Sequence, residues 1–205
     1  MNNFCPPTSV VYLDSLFSQE EDLSGFRMHW SELRKHALIH ASLPAARYGN
    51  VYKPGCGSWE LAAGLATRCD RLLVSGGAAD AVGVLRERLT DFENVRVIQA
   101  GVPEDWPDEQ FDLIVINELA YYLNPDEVLR LVGKISTSLQ EGGTVLACHG
   151  RKPLAGCPLN GDQVHDQFHT LLKIPHVCKT EDADLRIDVW CLNARTVAER
   201  EEVTA

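Results

Sequence analysis

Three groups of residues in this chain have the types and spacing to do chemistry. The run Pro54-Gly55-Cys56-Gly57-Ser58 sets two glycines around a cysteine. Glycine permits a sharp turn and close approach of the backbone to a ligand, and a helix opening just beyond would offer free amide donors. That is the equipment of a nucleotide-like site, unless Gly55 and Gly57 merely permit the turn. His149 follows the apolar run Val145-Leu146-Ala147-Cys148. A neutral imidazole there can accept a proton from a bound nucleophile near neutral pH, or can serve only as a hydrogen-bonded edge residue. Asp162, His165, Asp166 and His169 form the most polar cluster outside the apolar segments. Four-residue spacing puts both imidazoles on one flank of a helix, yet the order His-Asp-Gln-Phe-His lacks the HExxH zinc pattern. No metal is expected. A substrate-facing lid and an ordinary solvent-facing helix both stay open for this segment.

The glycine run excludes two chemistries. It is not a GxxxxGK[ST] phosphate loop, and Gly55-Cys56-Gly57-Ser58-Trp59-Glu60 lacks the third glycine of GxGxxG. Trp59 would crowd a pyrophosphate, so phosphoryl transfer and hydride transfer with NAD both recede.

These groups need a frame to hold them, and the hydropathy pattern supplies one. A helix is expected from about Asp22 to Ala41, with Leu33, Ala37 and Ala41 as its apolar stripe, and residues 1–20 as a loose arm. Strands are expected at Arg47–Tyr52, Arg71–Ser75, Val95–Gln99 and Phe111–Asn117. Helices bearing Leu61, Leu65 and Ala66, then Val82, Leu85 and Leu89, fall between the first three. The fourth strand is almost continuously apolar, as at the centre of a sheet covered on both sides. Asn124, Pro125 and Glu127 read as a cap, first-turn proline and capping box for a helix carrying Val128, Leu131, Val132, Ile135 and Leu139. Gly142-Gly143 would end that helix before a strand at Thr144–Cys148. A loop over 150–162 leads to a short helix, capped by Asp162, that buries Val164, Phe168, Leu171 and Leu172. Two strands, Ile174–Lys179 and Leu185–Leu192, precede a tail expected to fray from Ala198. Strands alternating with helices favour one α/β domain with a mostly parallel sheet. In such a sheet the ligand crevice lies beyond the carboxyl ends of the strands, where the glycine run and His149 both fall.

Composition narrows the partners. The 205 residues carry 19 Lys plus Arg against 29 Asp plus Glu, a formal charge of −10, which disfavours nucleic acid and anionic lipid. No apolar stretch approaches the roughly 20 residues of a membrane span, so a cytoplasmic protein is the expectation. Seven cysteines at irregular spacing read as reduced thiols rather than a disulfide framework. The expected partner is a small molecule, and a homodimer stays open.

The stretch over about 48–150 resembles class I S-adenosylmethionine-dependent methyltransferases, and about 12–192 resembles their nodulation-protein-S-like branch. The carriers are KPGCGSWELAAGLATRCDRLLVSGGAADAV, FDLIVINELAYYLNP and LQEGGTVLACHGR, flanked by WSELRK and NGDQVHD. The resemblance implies a three-layer Rossmann-like sandwich whose seven-stranded, mostly parallel sheet has an antiparallel last strand. Within one domain, about 1–45 is expected to be a helical lid over a ligand, because Trp30 to Lys35 lie just upstream of the first core strand, or else a surface helix packed on the main domain, and about 150–173 a loop-helix insertion. The resemblance implies S-adenosylmethionine as cofactor, with the methionine moiety near Gly55, Cys56 and Gly57. The adenosine would lie between the loops holding Gly76 and Gly101-Val102, and Asn117, Glu118 and Leu119 would line the loop after the fourth strand. Tyr121 and Tyr122 would stand nearer the methyl acceptor, unless they merely pack beneath the next helix. His149, His165 (inside NGDQVHD) and Tyr122 are then the candidate catalytic residues.

Three positions depart from the family pattern. Lys53 stands where an acidic residue usually precedes the first glycine. Gly76 stands where a carboxylate usually takes the ribose hydroxyls, and Gln99-Ala100-Gly101-Val102 lacks the acid that approaches the adenine amine. Lys53 would also put a positive charge near a positive sulfonium. The expected activity is methyl transfer to an unidentified small molecule. The alternative is a non-catalytic relative that binds a ligand or a protein.

Overall fold

In a computed structural model, residues 29–193 and 195–201 are described. The chain runs α1 (Trp30–Ser42), β1 (Tyr48–Pro54), α2 (Trp59–Ala66), β2 (Cys69–Gly76), α3 (Ala79–Arg88), β3 (Val95–Gln99) and β4 (Phe111–Asn117). After a 3-10 turn at Ala120–Tyr122 it continues α4 (Pro125–Ser138), β5 (Leu139–Gly150), α5 (Gly161–Leu171), β6 (His176–Glu181), β7 (Leu185–Cys191) and α6 (Val197–Glu201). The seven strands form one sheet in the order β3-β2-β1-β4-β5-β7-β6. Strands β1 to β5 pair in parallel; β7 runs antiparallel to both β5 and β6. The Rossmann-like architecture is as expected.

Successive strand side chains point to opposite faces, and β4 uses both. Ile114 and Ile116 enter the core beneath α4 and α5, while Leu113 and Val115 enter the core beneath α1, α2 and α3. All four are fully buried. This double coverage explains the unbroken apolar run. The crossover at β1 and β4 opens a crevice at their carboxyl ends, where the sheet order reverses direction.

Several local expectations change. The stripe Leu33, Ala37 and Ala41 faces solvent. Helix α1 instead turns Lys35, His36 and Ile39 inward, because Ile39 and Leu43 join the core while His36 bonds Ser58 Oγ at 2.9 Å. Residues 1–28, including the expected arm and the start of that helix, lie outside the described residues. Gly142-Gly143 does not end α4; the helix stops at Ser138 and β5 begins at once. Gly142, at φ 73°, sits where β5 breaks register with β4 between Leu139 and Thr144. Asn160, not Asp162, caps α5, in a capping box with Gln163. Residues 197–201 form a short helix where fraying was expected.

The Asn124 capping box, the first-turn Pro125 and the buried stripe of α4 match the expectation. Along α5 and its C-cap, Val164, Phe168 and Leu172 are buried as expected, whereas Leu171 is half-buried. A single glycine sets how closely α5 approaches the sheet: a Cβ at Gly161 would lie 2.2 Å from the Gly150 carbonyl oxygen. At Gly133, exposed in α4, an added Cβ would meet nothing within 4 Å. Gly161→Ala is therefore expected to lower stability by roughly 1–3 kcal/mol through overpacking, whereas Gly133→Ala raises it by about 0.5–1 kcal/mol through helix propensity. Denaturant melts of both variants check this; a gain in Gly161→Ala would contradict the packing argument.

Candidate active site

The site grows from three chain segments that end at one edge of the sheet. The first is the glycine turn after β1. Gly55 adopts φ 93°, a conformation open to glycine without side-chain strain, and its amide donates to the Ser75 carbonyl at 2.7 Å. Beneath it, buried Lys53 donates from Nζ to the Gly55 carbonyl at 2.7 Å. Ser58 caps α2 by accepting the Leu61 amide. Cys56 and Gly57 complete the turn.

The second segment is formed by the ends of β2 and β3. Gly76 accepts the Ala100 amide at 2.8 Å, Gln99 donates to the Gly77 carbonyl at 3.2 Å, and the Gly101 amide donates to Asp105 at 3.1 Å. Val102 is buried in the core. Asp105 thus braces the loop after β3 from a position the sequence left unplaced.

The third segment, after β4, carries the most constrained geometry. Asn117 is 8% exposed and its Oδ1 has no hydrogen-bond partner among the described residues. Glu118 adopts φ 51°, which is uncommon for a side chain with a Cβ. Its carboxylate accepts the Gly150 amide on Oε1 at 2.9 Å and the Tyr121 hydroxyl on Oε2 at 2.5 Å. Burial, reinforced by the Glu118 charge, pushes the Tyr121 hydroxyl far above its ordinary pKa. Leu119 leans on the glycine turn, 3.8 Å from where a Gly55 Cβ would stand. Tyr122 packs edge-on against Tyr121, with ring centroids 4.5 Å apart.

Helix α1 closes the side. Lys35 Nζ bonds Glu32 at 2.9 Å and lies 3.8 Å from Glu118 Oε1. Burial depresses the Lys35 pKa, but Glu118 and Glu32 outweigh it and the net shift is upward. Arg34 bridges to Asp182 in the β6–β7 turn at 2.6 Å. Between α1, Glu118 and that turn lies a cleft of about 500 Å³. Its charged lining is Glu32, Glu118, Asp182 and Asp184 against Arg34 and Lys35.

His149 and His165 come together, but as a layer under the β4 turn rather than around the cleft, and half-buried Tyr122 packs on Tyr121, which in turn packs on His149. His149 and His165 are both fully buried. The Ala120 amide donates to His149 Nε2 at 3.1 Å, His149 Nδ1 meets His165 Nε2 at 3.1 Å, and His165 Nδ1 meets Asp188 Oδ2 at 2.7 Å. Asp188 also binds Arg186 and His176 at 2.7 and 2.6 Å. Burial raises the Asp188 carboxyl, yet His165 and Arg186 hold it well below the usual carboxylate range. His169 is separated from His165: it is exposed and packs on His176. Asp162 and Asp166 pair with Arg151 and Arg186. Sequence reasoning missed Asp188, whose signal was one charged residue inside the apolar strand Ile187-Asp188-Val189-Trp190. Glu32 and Lys35 fall inside the WSELRK segment, but nothing in the helix pattern separates them from surface charges.

The family model described as "Nodulation protein S (NodS)" matches residues 24–152. The chain belongs to the nodulation protein S family. The Rhizobium tropici nodulation protein S is 30% identical over 114 residues, covering 55% of this chain and 48% of that protein. This chain thus spans about half the length of the curated NodS relatives it matches. A crystal structure from Pseudomonas syringae, described as a candidate methyltransferase, is 39% identical with a TM-score of 0.73, covering 80% of this chain and 99% of that one. The N-methyltransferase NodS of Bradyrhizobium japonicum WM9, solved with S-adenosyl-L-homocysteine, shares the fold with a TM-score of 0.77 and 18% identity, covering 89% and 98% of the chains.

An adenosyl ligand fits the residues of this NodS-family site: a glycine turn at positive φ and an orphaned buried acceptor, Asn117 Oδ1, stand at the carboxyl ends of the paired strands β1 and β4. Gly55, Cys56 and Gly57, the Gly76 and Gly101-Val102 loops, and Asn117 to Leu119 are the residues that would hold it. The three departures at Lys53, Gly76 and Gly101 leave fewer charged contacts than the resemblance implies.

Four histidines give the fold an acid limit. Burial first, then His165 and Lys35, lower the pKa of His149 well below its ordinary value. Burial likewise lowers His165 and His40, and it pushes His36 down to about 4. The unfolded chain therefore binds more protons below about pH 6.5, so stability is full above that pH and is lost as pH falls towards the native values. Each histidine contributes a slope of up to about 1.4 kcal/mol per pH unit. Thermal midpoints should drop steadily from about pH 7.5 to about pH 5; a flat profile would contradict the neutral, buried imidazoles.

Proposed function

We propose that the protein transfers a methyl group from S-adenosylmethionine to an amine nitrogen of a small molecule seated in the cleft between α1 and the β6–β7 turn. The observation that carries this reading is Glu118. Its strained backbone stands between the glycine turn and the cleft, with its carboxylate anchored by Gly150 and Tyr121 on the cleft wall. Bound S-adenosylmethionine supplies an activated methyl carbon, so the protein needs no covalent intermediate and acts mainly by alignment.

The chain's own residues divide that work. Gly55 to Gly57 and Asn117 hold the donor side, and Leu119 joins it to the Glu118 turn. An ionised carboxylate has about four lone-pair sites, so two protein donors leave Glu118 room to accept an N–H from the substrate. It can orient the amine and take the proton released as nitrogen is methylated. Lining carboxylates outnumber cations four to two, which favours a basic acceptor over an acidic one. The name N-methyltransferase carried by the Bradyrhizobium japonicum relative agrees with a nitrogen acceptor. Helix α1 acts as the lid, tied across the cleft by Arg34 and Asp182. Half-buried free thiols at Cys157 and Cys178 suit a cytoplasmic setting. No helix among the described residues is long and apolar enough to cross a membrane.

The test is labelled methyl transfer to a panel of small amines and to matched alcohols bearing hydroxyls only. Label should enter the amine series alone. Glu118→Gln keeps the Gly150 contact and should lower kcat/KM by about 10²-fold, within the range for removal of a positioned acid–base group, while S-adenosylhomocysteine affinity changes little. Equal labelling of the hydroxyl series, or full activity in Glu118→Gln, contradicts the assignment.

A further inference from the structure

The buried chain from Ala120 to Asp188 has only one arrangement of protons. A backbone N–H donates and cannot accept, so His149 Nε2, 3.1 Å from the Ala120 nitrogen, presents a lone pair. A neutral imidazole has one donor and one acceptor nitrogen. His149 Nδ1 therefore carries hydrogen and donates to His165 Nε2 at 3.1 Å. His165 Nδ1 in turn donates to Asp188 Oδ2 at 2.7 Å. An ionised carboxylate only accepts, which matches its other two partners, Arg186 and His176. Direction is fixed at both ends.

That arrangement rules out two more familiar histidine roles. A general base must point a lone pair at its substrate, but His149 Nε2 is already occupied by Ala120 and the ring is fully enclosed. A proton wire must end on a group that passes protons on, and a backbone amide does not. What remains is orientation. The Ala120 amide lies at the start of the 3-10 turn Ala120–Tyr122, where amides have no partner within the turn. Two residues earlier, Glu118 is held at φ 51°, a conformation that persists only when its surroundings over-determine it.

We propose that His149 and His165 are positioning residues, two neutral imidazoles that relay the pull of the Asp188 carboxylate to the Ala120 amide and thereby hold the Glu118 turn in register with the cleft. A hydrogen bond ending on a charged group is stronger than a neutral one, and chained bonds polarise one another. The relay reaches through three elements: β5 supplies His149, α5 supplies His165 and β7 supplies Asp188. Gly161 lets α5 come close enough to close it. Only the kinetic arm of the test below rests on the proposed methyl transfer.

Two-bond nitrogen–proton spectra of the full chain, labelled at histidine, should show His149 and His165 neutral with hydrogen on Nδ1. Hydrogen on Nε2 of either ring overturns the relay without any assay of activity. In His149→Leu, exchange of the Ala120 amide should accelerate about tenfold or more, as expected for loss of one buried hydrogen bond, while Val115 in β4 keeps its protection. His149→Gln, which retains an acceptor at similar reach, should hold Ala120 exchange within about threefold of the parent. In the kinetic arm, His149→Leu should lower kcat about tenfold with S-adenosylhomocysteine affinity unchanged, and His149→Gln should restore most of it. Uniform acceleration of Ala120 and Val115, or equal kcat in both variants, would reduce His149 to a packing residue and overturn the proposal. If the parent chain transfers no methyl group, the functional reading falls, and the spectra and exchange rates still decide the relay.

Discussion

The left-handed backbone at Glu118 is the constraint on which the site depends. It ends β4, the strand buried on both faces, and turns the chain so that neighbouring residues look in different directions. Asn117 stays with the strand edge, Leu119 reaches the glycine turn, and Glu118 faces the cleft. A non-glycine residue in that region costs of order 1–3 kcal/mol and needs support from every side. The support is visible: the Gly150 amide and Tyr121 hydroxyl on the carboxylate, the Cys148 carbonyl on the Glu118 amide, and His149 on the Ala120 amide. A fold that merely needed to connect β4 to α4 would not need any of them.

Buried polarity gathers at this edge of the sheet and in the layer beneath it. Lys53, Ser75, Asn117, His149, His165 and Asp188 are the polar side chains nearest to full burial around the sheet's carboxyl edge and the layer beneath it. Buried polar groups are tolerated when bonded. Lys53 bonds the Gly55 carbonyl, Ser75 bonds Tyr52 and the histidines bond one another. Asn117 Oδ1 stands apart from these, and its orphaned oxygen is the structure's clearest sign of a ligand at this edge.

Legibility in the sequence followed the range of the interactions involved. The α4 cap, the glycine turn and the buried strand β4 were readable because each is decided within a few residues, by a capping box, a backbone preference or a periodicity. The site's side-chain partners were not. His149 reads as an open edge base until α5 and β7, 16 and 39 positions onward (149 to 165 and to 188), fold over it. Helix α1 offered a tidy stripe at Leu33, Ala37 and Ala41, yet tertiary contacts at Ile39, His36 and Lys35 turned it the other way. Gly142-Gly143 read as a helix stop but serves a break in strand pairing, because glycine suits both tasks and only the neighbouring strand decides. The departures at Lys53, Gly76 and Gly101 were plain in sequence, whereas the bonds those positions make within the chain, to Gly55, Ala100 and Asp105, were not.

The most direct measurement is a crystal structure of the protein grown with S-adenosylhomocysteine. The ligand should lie between the Gly55–Gly57 turn and β4, with a ligand donor on Asn117 Oδ1 and the 117–122 turn unmoved, Glu118 still left-handed. A ligand bound elsewhere, or a turn that rearranges to admit it, would contradict the claim that this strained turn is built in advance for the donor.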